Sequence, residues 1–261
     1  MADKPRDPGV SVWLAPPKDR RRGTAPAGLN RDRIVRAAVA LLDADGVQAF
    51  SMRRLAAELE VTAMSVYWHV DNKDDLLELA LDEVLGELRI PPFGADDDWR
   101  GHLRTLARQY RRCFQNHPWA AQLATRFLAV GPNALFFSTS AIGAMTRSGL
   151  PGDQLAGALG LLFQFTYGFA MVESQWVLRV RASGTDEDDF HRRVFGIVAQ
   201  VDARFLENED LVASQVDGGV AAARDRQFEV GLDLALAGVE AAIAAATGGP
   251  GNAPDHEGGL R

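Results

Sequence analysis

Between positions 29 and 247, apolar residues recur at spacings of three and four, the period of helices that bury one face. The first such segment sets Ile34, Ala38, Leu41 and Leu42 on one side, with Asn30 as its N-cap and Gly46 just past its end. A short segment follows, capped by Ser51 and striped by Met52, Leu55, Ala56 and Leu59. A break at Glu60-Val61 leads to Thr62, a further cap, and a helix running to about Val70. Asp71-Asn72 then caps a longer helix with Leu77, Leu81, Val84 and Leu88 on one face, which Pro91-Pro92 stops.

Beyond position 96 the segments lengthen. Trp99, Leu103, Leu106, Tyr110 and Phe114 define one, ended by His117-Pro118; short material from 119 to about 128 and a helix over 133–148 follow. Residues 155–172 carry no charge, a length that meets the requirement for a membrane span. Gln164, Thr166 and three glycines interrupt the run and no second such segment accompanies it, so the expectation is a helix buried on several sides. Two last stripes run through Phe190, Val194, Ile197, Val198, Val201 and Phe205, and through Phe228, Leu232, Ala235, Leu236, Val239 and Ile243. No strand is required anywhere, and the predicted fold is all-α.

Composition narrows the class. The chain is 47% hydrophobic and 24% charged, ordinary globular material with enough length to bury a core unaided. Cys113 is the sole cysteine, which excludes a disulfide framework and a Cys-based zinc site. The five histidines lack metal-ligand spacing, there is no glycine-rich phosphate loop, and no nucleophile has a nearby base. No metal, cofactor or catalytic residue is therefore expected, and the chain does not read as an enzyme. Positions 1–22 hold no apolar signal core, which points to the cytoplasm, with no membrane partner.

Net charge is -7, but it is unevenly spread. Residues 18–73 hold ten basic and seven acidic side chains, whereas 74–261 hold 16 basic and 26 acidic ones. A basic front on an acidic body suits a module that binds a polyanion. Residues 1–28, rich in proline and charge, read as a disordered basic arm in which Lys18, Arg20, Arg21 and Arg22 are placed to reach phosphates. Residues 248–261 read as a disordered tail.

Two short helices with a tight break over 51–70 form a helix-turn-helix, whose second member enters the major groove. With Val66 and Val70 facing inward, Met64 and Trp68 point outward, flanked by Ser65 and Tyr67. Such a face suits thymine methyls, sugars and phosphates better than water. Packing against a neighbouring helix is the alternative.

The run Val66-Tyr67-Trp68-His69-Val70-Asp71-Asn72-Lys73, continued by Asp74-Asp75-Leu76-Leu77, resembles the signature of the tetracycline-repressor (TetR) family. Residues 228–240, from Phe228 through Gly231 and Gly238 to Glu240, resemble the last dimerisation helix of the tetracycline-responsive branch. The resemblance implies a helix-turn-helix DNA-binding domain over 29–73 and a ligand-binding and dimerisation domain over 74–247, with 74–90 as connecting helix. It further implies a homodimeric repressor that holds palindromic, double-stranded operator DNA and lets go when a small-molecule inducer binds. A helical small-molecule-binding protein or enzyme without specific DNA binding is the rival reading. Carried over by position, Tyr67, His69 and Lys73 fall on phosphate-contacting positions, Met64 and Ser65 on groove-facing ones, and Arg53 on a guanine-reading one. Arginine is the commonest bidentate partner of guanine, which agrees for Arg53. His69 lies nearer the core side, and a packing histidine remains the alternative there.

Departures from the family pattern alter the expected ligand. The residue that holds drug-chelated magnesium in tetracycline repressors falls on Ala124, and two drug-ring contacts fall on Arg89 and Leu106. The resemblance therefore implies loss of the metal-assisted tetracycline site. Leu106, Tyr110, Phe114, Phe127, Phe163, Gln164 and Tyr167 are the candidate ligand contacts, a set suited to a flat, apolar or aromatic molecule. Gln164, an amide inside the uncharged run, needs a partner from ligand or helix. For the dimer interface the candidates are Glu173, Gly231, Leu232, Ala235, Gly238 and Val239, whose small residues would let two helices approach.

Overall fold

The computed structural model describes residues 11–14, 29–94, 97–202, 204, 207, 214 and 216–247; the basic run at 18–22 and the tail at 248–261 lie outside these. Among the described residues there are ten helices and no strand. They are α1 (Arg31–Ala49), α2 (Met52–Glu58), α3 (Ala63–Tyr67), α4 (Lys73–Leu85) and α5 (Trp99–Asn116), then α6 (Pro118–Leu123), α7 (Pro132–Arg147), α8 (Gly152–Ser183), α9 (Glu187–Val201) and α10 (Val220–Thr247).

Caps set most of the starts. The side chains of Asn30, Ser51, Thr62 and Asn72 accept the backbone N–H of the third residue on, at 2.8, 3.3, 3.2 and 2.8 Å. Asp98 accepts the amides of Arg100 and Gly101 to open α5, and each such cap is worth about 1 kcal/mol. Pro118 and Pro132 occupy first helical positions, where a missing N–H costs nothing. Gly46 ends the regular part of α1: at φ 75° and ψ 175° it breaks the helical path before the last turn.

Two apolar cores run through the molecule. The first joins α1, α2 and α3 to α4, α6 and the end of α5, and includes Ile34, Leu55, Val66, Leu77 and Phe114. The second lies between α5, α7, α8 and α10, around Leu103, Leu106, Met145, Leu162 and Leu232. Helix α4 belongs to the first core along almost its whole length, with Leu76, Leu77, Ala80 and Val84 fully buried.

On α5, Arg100, Arg104, Arg108 and Arg111 form one face, and each pairs with an acid on the antiparallel α10: Glu240, Asp233, Glu229 and Asp225 in turn. Helix α8 departs from the expectation of many-sided burial. Ala158, Leu162, Thr166, Ala170, Glu173 and Ser174 are buried along one face, while Gly157, Leu161, Gln164, Gly168 and Val172 line an exposed, largely apolar seam on the other.

A DNA-reading surface coupled to an apolar cavity

Val66 and Val70, both buried, pin α3 to the first core, and this fixes what the opposite face must show. Met64 is 67% exposed, Trp68 54%, and Tyr67 stands beside them. Arg53 is exposed in the first turn of α2, while its neighbour Arg54 is engaged by Asp45 of α1 at 2.7 Å. The turn between the helices closes with the Val61 amide donating to the Ala56 carbonyl at 2.9 Å, which leaves Glu60 in the left-handed region at φ 57°.

The other sequence candidates on this surface have duties inside the chain. Ser65 is half-buried and its hydroxyl bonds that of Thr62 at 2.9 Å. His69 is half-buried behind α3. Lys73 donates through Nζ to the Phe50 carbonyl at 2.8 Å and lies 5.5 Å from the Phe50 ring centroid, tying α4 to the loop before α2.

Helix α4 packs on α1 within the core of the helix-turn-helix domain and also lines an apolar cavity. Leu81, Leu85, Tyr110, Phe114, Ala124 and Phe127 are among its lining residues, and about 40 Å³ stays open. Behind the wall, Tyr110 stacks on Phe137 with centroids 5.0 Å apart, and Phe163 meets both edge-on. Tyr167 stands edge-on to Phe114 and donates its hydroxyl to the Ala121 carbonyl at 2.9 Å. Burial raises the pKa of the Tyr110 phenol, which stays protonated. On α4, Asp82 accepts the amides of Asn133 and Ala134 at 3.3 and 3.0 Å, capping α7 at the cavity rim.

Tyr110, Phe114 and Phe127 thus line the cavity, and Phe163 and Tyr167 back it. Two expected contacts do not. Leu106 is fully buried in the second core, because its turn of α5 faces α7 and α10. Gln164 lies on the exposed seam of α8, one helical step away from the cavity side. A second, larger apolar hollow of about 500 Å³ opens between α8, α9 and α10, bounded by Phe165, Phe169, Val172, Trp176 and Phe195. No local pattern marks it, since its walls come from three separate helices.

Glu173 is buried and forms part of the floor of that hollow. Arg111 grips its carboxylate with two bonds of 2.8 and 2.7 Å, and Gln115 and Arg224 add bonds of 3.0 and 2.9 Å. Burial alone would raise its pKa, but these donors outweigh it and hold Glu173 below the usual carboxylate range. Leu232, Ala235 and Val239 are likewise buried within the second core, and Gly231 lies under the Phe165 ring, where a Cβ would approach to 2.4 Å. Of the expected interface residues only Gly238 is exposed. The residues of α10 exposed beside the α8 seam are Val230, Leu234, Ala237, Gly238 and Ala241.

His117, at the corner between α5 and α6, was not a sequence candidate. Its Nδ1 bonds Asp43 of α1 at 2.7 Å and its Nε2 bonds Glu87 at 3.0 Å; the Trp119 indole donates to the same Asp43 oxygen at 2.6 Å. Nearby, burial pushes the Cys113 thiol up to about 12, so it is an inert core group.

A helix-turn-helix carried on a helical body with its own cavity defines a DNA-binding regulator of the one-component type. The sequence matches the bacterial regulatory protein tetR family over residues 34–80 and the tetracyclin repressor-like C-terminal domain over residues 91–243. The chain belongs to the TetR family of transcriptional regulators and is not an enzyme. It is 42% identical to an HTH-type transcriptional regulator of Saccharopolyspora erythraea over 65% of its own length and 70% of the relative's. It is 33% identical to the HTH-type transcriptional repressor DrrR1 of Streptomyces coeruleorubidus, covering 66% and 63%. Among solved structures, ActR of Streptomyces coelicolor in complex with actinorhodin superposes with a TM-score of 0.65 at 32% identity, over 84% of this chain and 99% of that one.

Proposed function

We propose that this protein is a homodimeric repressor of a palindromic operator, released from DNA by a flat, largely apolar or aromatic small molecule in the cytoplasm. The observation that carries this reading is the placement of α4. The same helix packs on α1, within the core that α1 shares with the Met64, Tyr67, Trp68 and Arg53 helices, and it walls the Tyr110 cavity, so a ligand there acts on the reading head through α4 and α1. Ala124 stands in that wall where the tetracycline branch has its metal ligand, and an aromatic lining takes the place of metal chelation. The likeness to ActR bound to actinorhodin supports an aromatic ligand. The exposed apolar seams of α8 and α10 supply the area a dimer would cover, and a dimer spaces two α3 helices for successive major grooves, about 34 Å apart.

The test is fluorescence anisotropy of labelled duplex from the DNA upstream of the protein's own coding sequence. Specific binding at moderate salt, with half-site symmetry in the footprint and loss of binding on adding actinorhodin, supports the proposal. Binding no stronger than to scrambled duplex would overturn it.

A further inference from the structure

Residues 11–14 fall within the stretch whose composition reads as a disordered arm, yet they are docked against the cavity. Ser11 is buried, and its hydroxyl donates to Oε1 of Glu78 on α4. The Val12 amide donates to Oε2 of the same carboxylate at 3.1 Å. The Trp13 amide turns back to the Ser11 hydroxyl oxygen and the Leu14 amide to the Ser11 carbonyl, both at 3.1 Å, closing a compact turn. The Trp13 ring forms part of the cavity wall. It sits so close to the turn before α7 that a Cβ on Gly131 would lie 2.9 Å from its Nε1. Above it, the Arg31 guanidinium of α1 is 5.7 Å from the ring centroid.

We infer that residues 11–14 are a tethered occupant of the ligand cavity, which an incoming ligand must displace. The remaining space of about 40 Å³ has room for about one water, whereas a drug-sized aromatic molecule needs several hundred Å³. What the segment presents is a chemical template: a flat indole on the apolar wall, and two hydrogen-bond donors on a buried carboxylate. The ligand that replaces it is a planar aromatic carrying hydroxyl or amino donors that take over Glu78. Trp13 also packs against Arg31 of the first DNA-domain helix, so its departure changes a contact between cavity and reading head and gives the ligand different affinities for two states. This inference rests on the ligand-release reading above for its physiological meaning, though the displacement itself can be measured without DNA.

The experiment compares the full chain, Trp13→Ala, and a variant lacking residues 1–14. The probe is 2,6-dihydroxyanthraquinone, whose hydroxyls are free to donate, with its 2,6-dimethoxy analogue as a donor-free control. If the segment occupies the cavity about nine-tenths of the time, both variants bind the dihydroxy probe about tenfold tighter than the full chain. The dimethoxy control binds more weakly to all three proteins. In the full chain, saturation with the dihydroxy probe accelerates hydrogen exchange at the amides of Val12, Trp13 and Leu14. Equal affinities across the three proteins, unchanged exchange at those amides, or no binding by any of them would overturn the inference. Tighter binding and faster exchange without release of operator DNA would leave the tethered occupant standing and remove the ligand-release function instead.

Discussion

His117 and Asp43 are joined by a 2.7 Å hydrogen bond that runs from the α5–α6 corner of the ligand-binding body to the first helix of the DNA-binding domain. Burial alone would lower the His117 pKa, but the hydrogen bonds it donates to Asp43 and Glu87 outweigh it and hold the imidazolium above the usual histidine range. A group with a raised folded pKa contributes its full stability below the unfolded value, near 6.5, and loses it as pH rises through the folded one. His117→Gln is therefore expected to lower the unfolding midpoint at pH 6, by an amount equivalent to about 2 kcal/mol, and to matter less at pH 9. Urea titrations at the two pH values check this, and an equal loss at both would rule out the charged bridge.

Glu173 has the opposite sign. Its depressed folded pKa means that its contribution is present above about 4.5 and fades as pH falls through the folded value. Glu173→Ala strands the buried Arg111 with only the exposed Asp225, and a loss of about 3–5 kcal/mol is expected at pH 7. The difference between variant and parent should narrow as pH falls below about 4.5 toward the depressed folded value. Denaturant melts across pH 3–7 would show the two curves converging.

On the reading surface, Arg53→Ala is expected to cost about 1–3 kcal/mol of operator affinity and to relax selectivity at one base pair of each half-site. Trp68→Ala should weaken binding with little change in thermal stability, because the ring is mostly in solvent. Competition binding with single-base operator variants distinguishes the two. A Trp68 variant with a reduced melting temperature would mean that the ring packs rather than reads.

The exposed seam gives a dimerisation test. Leu234→Glu places a carboxylate on the α10 stripe at a position 69% exposed in the protomer, so the isolated fold should tolerate it. Light scattering is expected to report a monomer, and operator affinity should fall. Leu232→Glu, one turn-face away, would instead unfold the second core, since Leu232 is fully buried.

Glu60 offers a gain rather than a loss. A side chain at φ 57° carries about 1–2 kcal/mol of backbone strain that glycine does not. Glu60→Gly should raise the melting temperature by a few degrees while leaving the DNA-facing residues unchanged. A lower melting temperature would mean that the Glu60 side chain makes a contact outweighing the strain.

Local signals carried much of the architecture. Asn30, Ser51, Thr62 and Asn72 were readable as caps, and the inward Val66 and Val70 sufficed to turn Met64 and Trp68 outward. Pairings across long separations were not readable. The arginines at 100, 104, 108 and 111 share a face by spacing alone, but nothing local reveals that their acids lie more than a hundred residues away on α10. Which face of α10 stays exposed is not readable for a related reason: α10 is apolar on both faces, one toward its own core and one toward the seam, and small residues occur on both. Gln164 misled because an amide in an uncharged run reads as buried when that run has only one buried face. Residues 11–14 are hidden by length, since the mostly apolar run from Val10 to Ala15, closed by Pro8, Pro16 and Pro17, is too short to show a helical period.

The burial of α4 bears on how such regulators can be recombined. A cut between positions 73 and 74, where the sequence suggests one domain ends and the next begins, would divide a single continuous core, because Leu76, Leu77, Ala80 and Val84 pack with the helices before that point. The reading head is therefore not a detachable cassette. A hybrid that joins this body to a foreign specificity must import the foreign α4 together with its first three helices, and must then rebuild the contacts to α6 and α7. Diversification of such a chain proceeds more readily by exchanging the exposed side chains of α3, one at a time, than by shuffling domains.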